Sequence, residues 1–144
     1  MRPEGTKGDF IEISLPSHPR YLTLLREVVG RAADLLEFSE DEKQGMMLAV
    51  NEGCANIIEH CYAMDDRGKI DMTLRMLPDR MEIDLRDYGV YQEAAIEESP
   101  GPDGEPRGLG VRIMRSAMDD VTWRPAGRDG TLLTMKKFRT AREA

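Results

Sequence analysis

Glu52 and Asn56 stand four residues apart, which on an α-helix stacks a carboxylate and an amide on one face, one turn from each other. A carboxylate can take a proton from a nucleophile and an amide oxygen can ligate a hard cation, so the pair suits acid–base or metal-assisted chemistry. A solvated helix face produces the same spacing. The flanking Ala49, Gly53 and Ala55 favour a site, because glycine costs a helix interior on the order of 1 kcal/mol relative to alanine and small side chains let a ligand approach. A second group is Asp84-Leu85-Arg86-Asp87-Tyr88-Gly89, in which Asp87 can cap a turn or present an acceptor and Gly89 can supply a positive φ. A third is Arg107-Gly108-Leu109-Gly110 at a helix start, where free amides and the helix dipole favour phosphate. Gly130-Thr131, before a strand, reads by itself as a turn.

These residues need elements to hold them. Asp9 to Leu15 alternates polar and apolar as a half-buried strand does, and Pro16 ends it. From Tyr21 the spacing of Leu22, Leu25, Val28 or Val29, Ala32 and Leu35 or Leu36 predicts a first helix. Ser39-Glu40-Asp41-Glu42 offers a capping box that opens a long helix through about Tyr62. On that helix Met46, Val50, Cys54, Ile57, Ile58 and Cys61 share the apolar face, and Glu52, Asn56 and Glu59 lie opposite. Two alternating strands follow, Lys69 to Leu77 and Arg80 to Arg86, joined by Pro78-Asp79 as in a hairpin. Val90 to Arg107 is a long polar loop rich in proline and acidic residues, of the kind that is usually functional or disordered. Leu109 to Met118 predicts a helix, and strands follow near Val121 to Arg124 and Thr131 to Phe138. The order β-α-α-β-β-loop-α-β-β predicts an α/β two-layer sandwich: a mostly antiparallel, mixed sheet with three helices on one face.

The chain has 144 residues, enough for one domain with a real core, expected over residues 9–138 with a flexible N-terminus (1–8) and a short C-terminal tail (139–144). No apolar run is long enough to span a membrane and the N-terminus has no secretory pattern, so a cytoplasmic protein is expected. A net charge of −7 argues against a nucleic-acid surface, and an anionic ligand must be held by backbone donors, local cations or a metal. Cys54 and Cys61 are roughly 10 Å apart along one helix, beyond disulfide reach, and are expected as reduced core residues.

Taken together and in order, these pieces resemble one family. Leu48 to Tyr62, carrying Glu52, Asn56 and His60, is similar to the N box of the anti-sigma-factor serine/threonine kinases, within the GHKL ATPase superfamily of gyrase, histidine kinases and MutL. Asp87-Tyr88-Gly89 is similar to the first glycine box, Arg107 to Met114 to the second, and Gly130-Thr131 to a further motif, covering roughly residues 10 to 138. The resemblance implies a Bergerat-type ATP-binding fold, ATP and Mg2+ as cofactors, and protein serine kinase activity. It implies Glu52 as general base, Asn56 as Mg2+ ligand, and Asp87, supported by the Thr131 hydroxyl, as acceptor for the adenine amino group. Gly89 would admit the base, and Arg107, Gly108, Leu109 and Gly110 would hold phosphates under a lid made by Val90 to Arg107. The implied partners are a STAS-domain anti-anti-sigma protein, a sigma factor and a second copy of the chain; a histidine is common in the family at His60, which receives no role. One departure stands out: Tyr91 occupies the place of the family's second glycine, and a tyrosine resists positive φ at the lid hinge. Tyr91 supports an alternative, a non-catalytic nucleotide-binding module that sequesters a regulator.

Overall fold

Our computed structural model describes residues 8–63, 65, 67–89 and 109–139. Strand β1 (Asp9–Pro16) leads through a 3-10 turn at Pro19–Tyr21 into α1 (Leu22–Leu35) and then α2 (Glu40–Asn56). The hairpin of β2 (Lys69–Met76) and β3 (Arg80–Arg86) follows, then α3 (Leu109–Ala117), β4 (Asp120–Pro125) and β5 (Thr131–Phe138). The expected loop Val90 to Arg107, with Tyr91, Arg107 and Gly108, lies outside the described residues, as do most of the two termini.

Local chemistry accounts for the element ends. Ser39 Oγ accepts from the Glu42 amide at 3.1 Å while Glu42 Oε1 accepts from the Ser39 amide at 3.0 Å, the reciprocal cap that starts α2. Helix α1 stops where Glu37 turns to φ 60°, and the Phe38 amide donates back to the Ala33 carbonyl at 3.0 Å, satisfying a carbonyl the helix leaves free. Pro78-Asp79 closes the β2–β3 hairpin: the Leu77 amide donates to the Arg80 carbonyl at 2.9 Å. The long helix departs from expectation at its end. Past Asn56 the ladder widens into a π turn over Ile57–Cys61, closed by the Tyr62 amide donating to the Ile57 carbonyl at 3.1 Å. Ile57 and Ile58, within this wider turn, are both buried in the core.

The sheet has five strands in the order β1-β2-β3-β5-β4, and every ladder among the described residues is antiparallel, so it is less mixed than the sequence suggested. The register lines up Met72, Leu85 and Leu133 across three strands, and Leu74, Ile83 and Met135 beside them. These residues bury against Leu25 and Val29 of α1, Met46 and Val50 of α2, and Val111 and Met114 of α3 in one core. Methionine is prominent in it: Met46, Met72, Met81, Met114 and Met135 are fully buried. The other face of the sheet is polar. There Asp84 accepts from Arg75 Nη1 and from Thr134 Oγ1, each at 2.8 Å, and Arg80 Nε donates to Glu82 at 2.6 Å. One apolar and one polar sheet face make a two-layer sandwich with the helices on one side.

Candidate active site

Glu52 and Asn56 are half-buried on α2, off the core face, as their spacing predicts. What stands above them is Gly110, in the first turn of α3. A Cβ at position 110 would sit 2.9 Å from Glu52 Oε2 and 3.5 Å from Asn56 Oδ1. Glycine therefore lets the first turn of α3 lie directly against these two oxygen atoms, near where the first amides of a helix carry no intrahelical partner. Leu109, also expected to hold phosphate, is 57% exposed at the same helix start.

The small residues beside Glu52 require a correction. Gly53 and Ala49 are buried, and a Cβ at Gly53 would meet Leu133 Cδ2 and Leu85 Cδ1, each at 2.9 Å. Gly53 lets α2 lie close on β3 and β5; it opens no path for a ligand.

The second cluster forms where β3 ends. Asp87 is 1% exposed, its amide donates to the Thr131 carbonyl at 3.1 Å, and its Oδ1 accepts from the Gly89 amide at 3.0 Å. Burial pushes the Asp87 carboxyl above its ordinary value, against the opposing pull of donors on Gly89, Cys61 and Thr131. Thr131 is 5% exposed at the first position of β5, and its backbone pairs with Asp87. Gly130, at φ +105°, makes that pairing possible: a Cβ there would lie 2.0 Å from the Asp87 carbonyl oxygen. Gly89 is constrained as tightly, since a Cβ would lie 2.5 Å from the carbonyl oxygen of Cys61.

Cys61, expected only as a reduced core residue, and Tyr62 belong to this cluster, and neither was given a site role from sequence. The Cys61 thiol neighbours Asp87, and burial with that carboxylate beside it pushes it up to about 12, so it stays protonated. Tyr62 Oη accepts from the Tyr88 amide at 2.8 Å. No spacing rule joins residues so far apart in the chain; the only signal was their place one turn beyond Asn56. Cys54 is buried in the core and Cys61 is half-buried, both as free thiols. His60 is exposed on the π turn.

Two clusters are thus strung along one helix. Glu52 and Asn56 face the start of α3, and Cys61, roughly 8 Å further along the axis, reaches Asp87. A profile described as the histidine kinase-like ATPase domain matches residues 15–137. The chain belongs to this family. This ATPase domain is similar to the serine-protein kinase RsbW of Halalkalibacterium halodurans, 30% identical over 137 residues covering 89% of this chain and 82% of the relative. It is 27% identical to the serine-protein kinase RsbW of Bacillus subtilis, over 91% of this chain and 86% of that one. Among solved structures, the RsbU and RsbW domains of a Mycobacterium tuberculosis protein match 93% of this chain with a TM-score of 0.65 at 16% identity, and the chain spans 33% of that longer protein. The catalytic domain of the histidine kinase ThkA matches 92% of this chain and 99% of its own, with a TM-score of 0.53 at 16% identity. These two show the fold. No helix among the described residues is long and apolar enough to cross a membrane.

The donor set suits a nucleotide carrying Mg2+. That ion keeps several waters and takes few protein ligands beside substrate phosphates, and Asn56 presents one amide oxygen toward Gly110.

Proposed function

We propose that this ATPase domain is an ATP- and Mg2+-dependent protein serine kinase of a partner-switching system. It phosphorylates a STAS-domain anti-anti-sigma protein and, when not so engaged, holds a sigma factor; it works in the cytoplasm as a homodimer. The supporting observation is the close approach at Gly110, which sets the first turn of α3 against a carboxylate and an amide one turn apart.

In this reading Asp87 accepts from the adenine amino group, at a position fixed by Gly89, Gly130 and the Thr131 backbone. Phosphates lie at the start of α3, on the free amides at Leu109 and Gly110 and on Arg107 and Gly108 from the preceding segment. Asn56 holds Mg2+, which when bound neutralises phosphate charge. Glu52 accepts the proton of the partner's serine hydroxyl while that oxygen bonds to the γ-phosphorus. The bond from the γ-phosphorus to its bridging oxygen breaks, and ADP leaves with the electron pair. The test is incubation with γ-labelled ATP, Mg2+ and a STAS-domain partner, followed by mapping of the labelled residue. Label on a partner serine is expected, and binding of ATP without transfer to any STAS partner would refute the kinase reading.

Tyr91 favours a second reading, a binding module in which nucleotide acts as a switch. Tyr91→Gly discriminates the two. Transfer that appears only in this variant assigns the parent chain to binding, and equal transfer in both removes the second reading.

A further inference from the structure

We propose that Cys61 and Tyr62, at the exit of the π turn, are positioning residues for recognition of the nucleotide base. They fasten the segment Asp87-Tyr88-Gly89 to the helix that carries Glu52 and Asn56. The inference rests on the reading of Asp87 as the adenine acceptor.

Three consecutive residues are gripped by two. The Cys61 thiol neighbours the Asp87 carboxylate. Tyr62 Oη accepts from the Tyr88 amide at 2.8 Å and donates to the Lys69 carbonyl at 2.7 Å, so one hydroxyl ties the end of β3 to the start of β2. The Cys61 backbone presses on Gly89, its carbonyl oxygen 2.5 Å and its Cβ 3.1 Å from where a Gly89 Cβ would be. The Tyr62 ring fits only because Gly68 lacks a side chain, a Cβ there falling 2.6 Å from three ring carbons. From the polar side of the sheet Tyr88 is held as well: its hydroxyl donates to Asp71, and its ring lies between Lys69 Nζ and Arg86 Cζ, each 4.7 Å from the centroid.

The π turn supplies the phase for this grip. One extra residue per turn rotates everything after it by about 100° relative to a continued α-helix, which directs Cys61 and Tyr62 to the end of β3. A carboxylate has roughly four acceptor sites. The Gly89 amide, with the Cys61 thiol alongside, fixes its orientation and leaves capacity for an incoming amino group.

The test compares affinity for ATP and for purine riboside triphosphate, which lacks the 6-amino group, by calorimetry. Tyr62→Phe and Cys61→Ala should each weaken ATP about five- to tenfold, the range a single hydrogen bond supplies, and the amino-free nucleotide less than about twofold. Cys61→Ser, which keeps a donor, should restore the preference. Equal losses for both nucleotides, or none, overturn the inference. Asp87→Asn separates the two failures: if it binds ATP as the parent does, the adenine reading itself falls. If it alone weakens ATP, the reading of Asp87 stands and the positioning role falls. Amide exchange at Tyr88 and Gly89 without nucleotide gives an independent arm, expected at least about tenfold faster in Tyr62→Phe, and unchanged exchange also overturns the grip.

Discussion

Glu52 is half-buried with Oε2 toward Gly110, whereas Asp87 is almost completely enclosed, and the difference assigns them different work. Glu52→Gln is nearly isosteric but cannot take a proton. Phosphoryl transfer should fall by about two to four orders of magnitude while ATP binding persists, measured by label transfer beside calorimetry. Its melting should move by less than about 0.5 kcal/mol, because Glu52 is off the core face. Asn56→Ala should remove the Mg2+ dependence of nucleotide binding and leave the fold intact, and calorimetry with and without Mg2+ checks both. Asp87 carries a pH signature. Its folded pKa is raised above 3.8, so ionising it costs the native state. That cost is absent below the unfolded value and complete once pH has passed the raised folded value. Adenine needs the ionised form as acceptor, so ATP affinity should fall as pH drops through this raised value, which lies above the ordinary value of Asp; Asp87→Asn should lack that inflection.

At the scale of elements, glycines divide into those that permit packing and those that permit a backbone path. Gly53→Ala brings a methyl against the ends of Leu85 and Leu133 side chains, which can yield, and gains helix propensity. A loss of at most about 2 kcal/mol is expected in denaturant melts. Gly130→Ala faces the Asp87 carbonyl at 2.0 Å from a φ of +105°, where neither neighbour can move cheaply, and should cost more than about 3 kcal/mol or prevent folding. This contrast also shows what the residues disclosed beforehand. The Ser39–Glu42 cap, the Pro78-Asp79 hairpin and the alternating strands were legible because their determinants lie within a few residues of each other. The π turn was not: Ile57, Ile58 and Cys61 fit an α-helical apolar face equally well. Gly53 was misread because a small residue does not name the neighbour that approaches it. In the candidate site, Glu52, Asn56, Asp87 and Thr131 were recognisable as motif positions. The contacts from Cys61 and Tyr62 to the Asp87 segment were hidden, since only the fold brings residues 26 apart in the chain together.

The molecule as a whole is acidic, with a net charge of −7, and its proposed ligand is an anion. Long-range repulsion is screened by salt, so the ATP association rate should rise with ionic strength in stopped-flow mixing, opposite to the behaviour of a nucleic-acid binder. A falling rate would show that local arginines outweigh the overall field. Light scattering tests the proposed homodimer, for which the polar sheet face that carries the Arg75–Asp84 pair, free of helices among the described residues, is the candidate surface. The five fully buried methionines carry a different consequence. A thioether shut inside the core meets dissolved peroxide only when the structure opens, and each oxidation leaves an oxygen on sulfur that persists in the absence of a sulfoxide reductase. The core therefore keeps a chemical record of its own openings. Mass spectrometry of Met46, Met72, Met81, Met114 and Met135 after timed peroxide exposure would read that record residue by residue, and a ligand that bridges α2, α3 and the end of β3 would slow the accumulation at all five together.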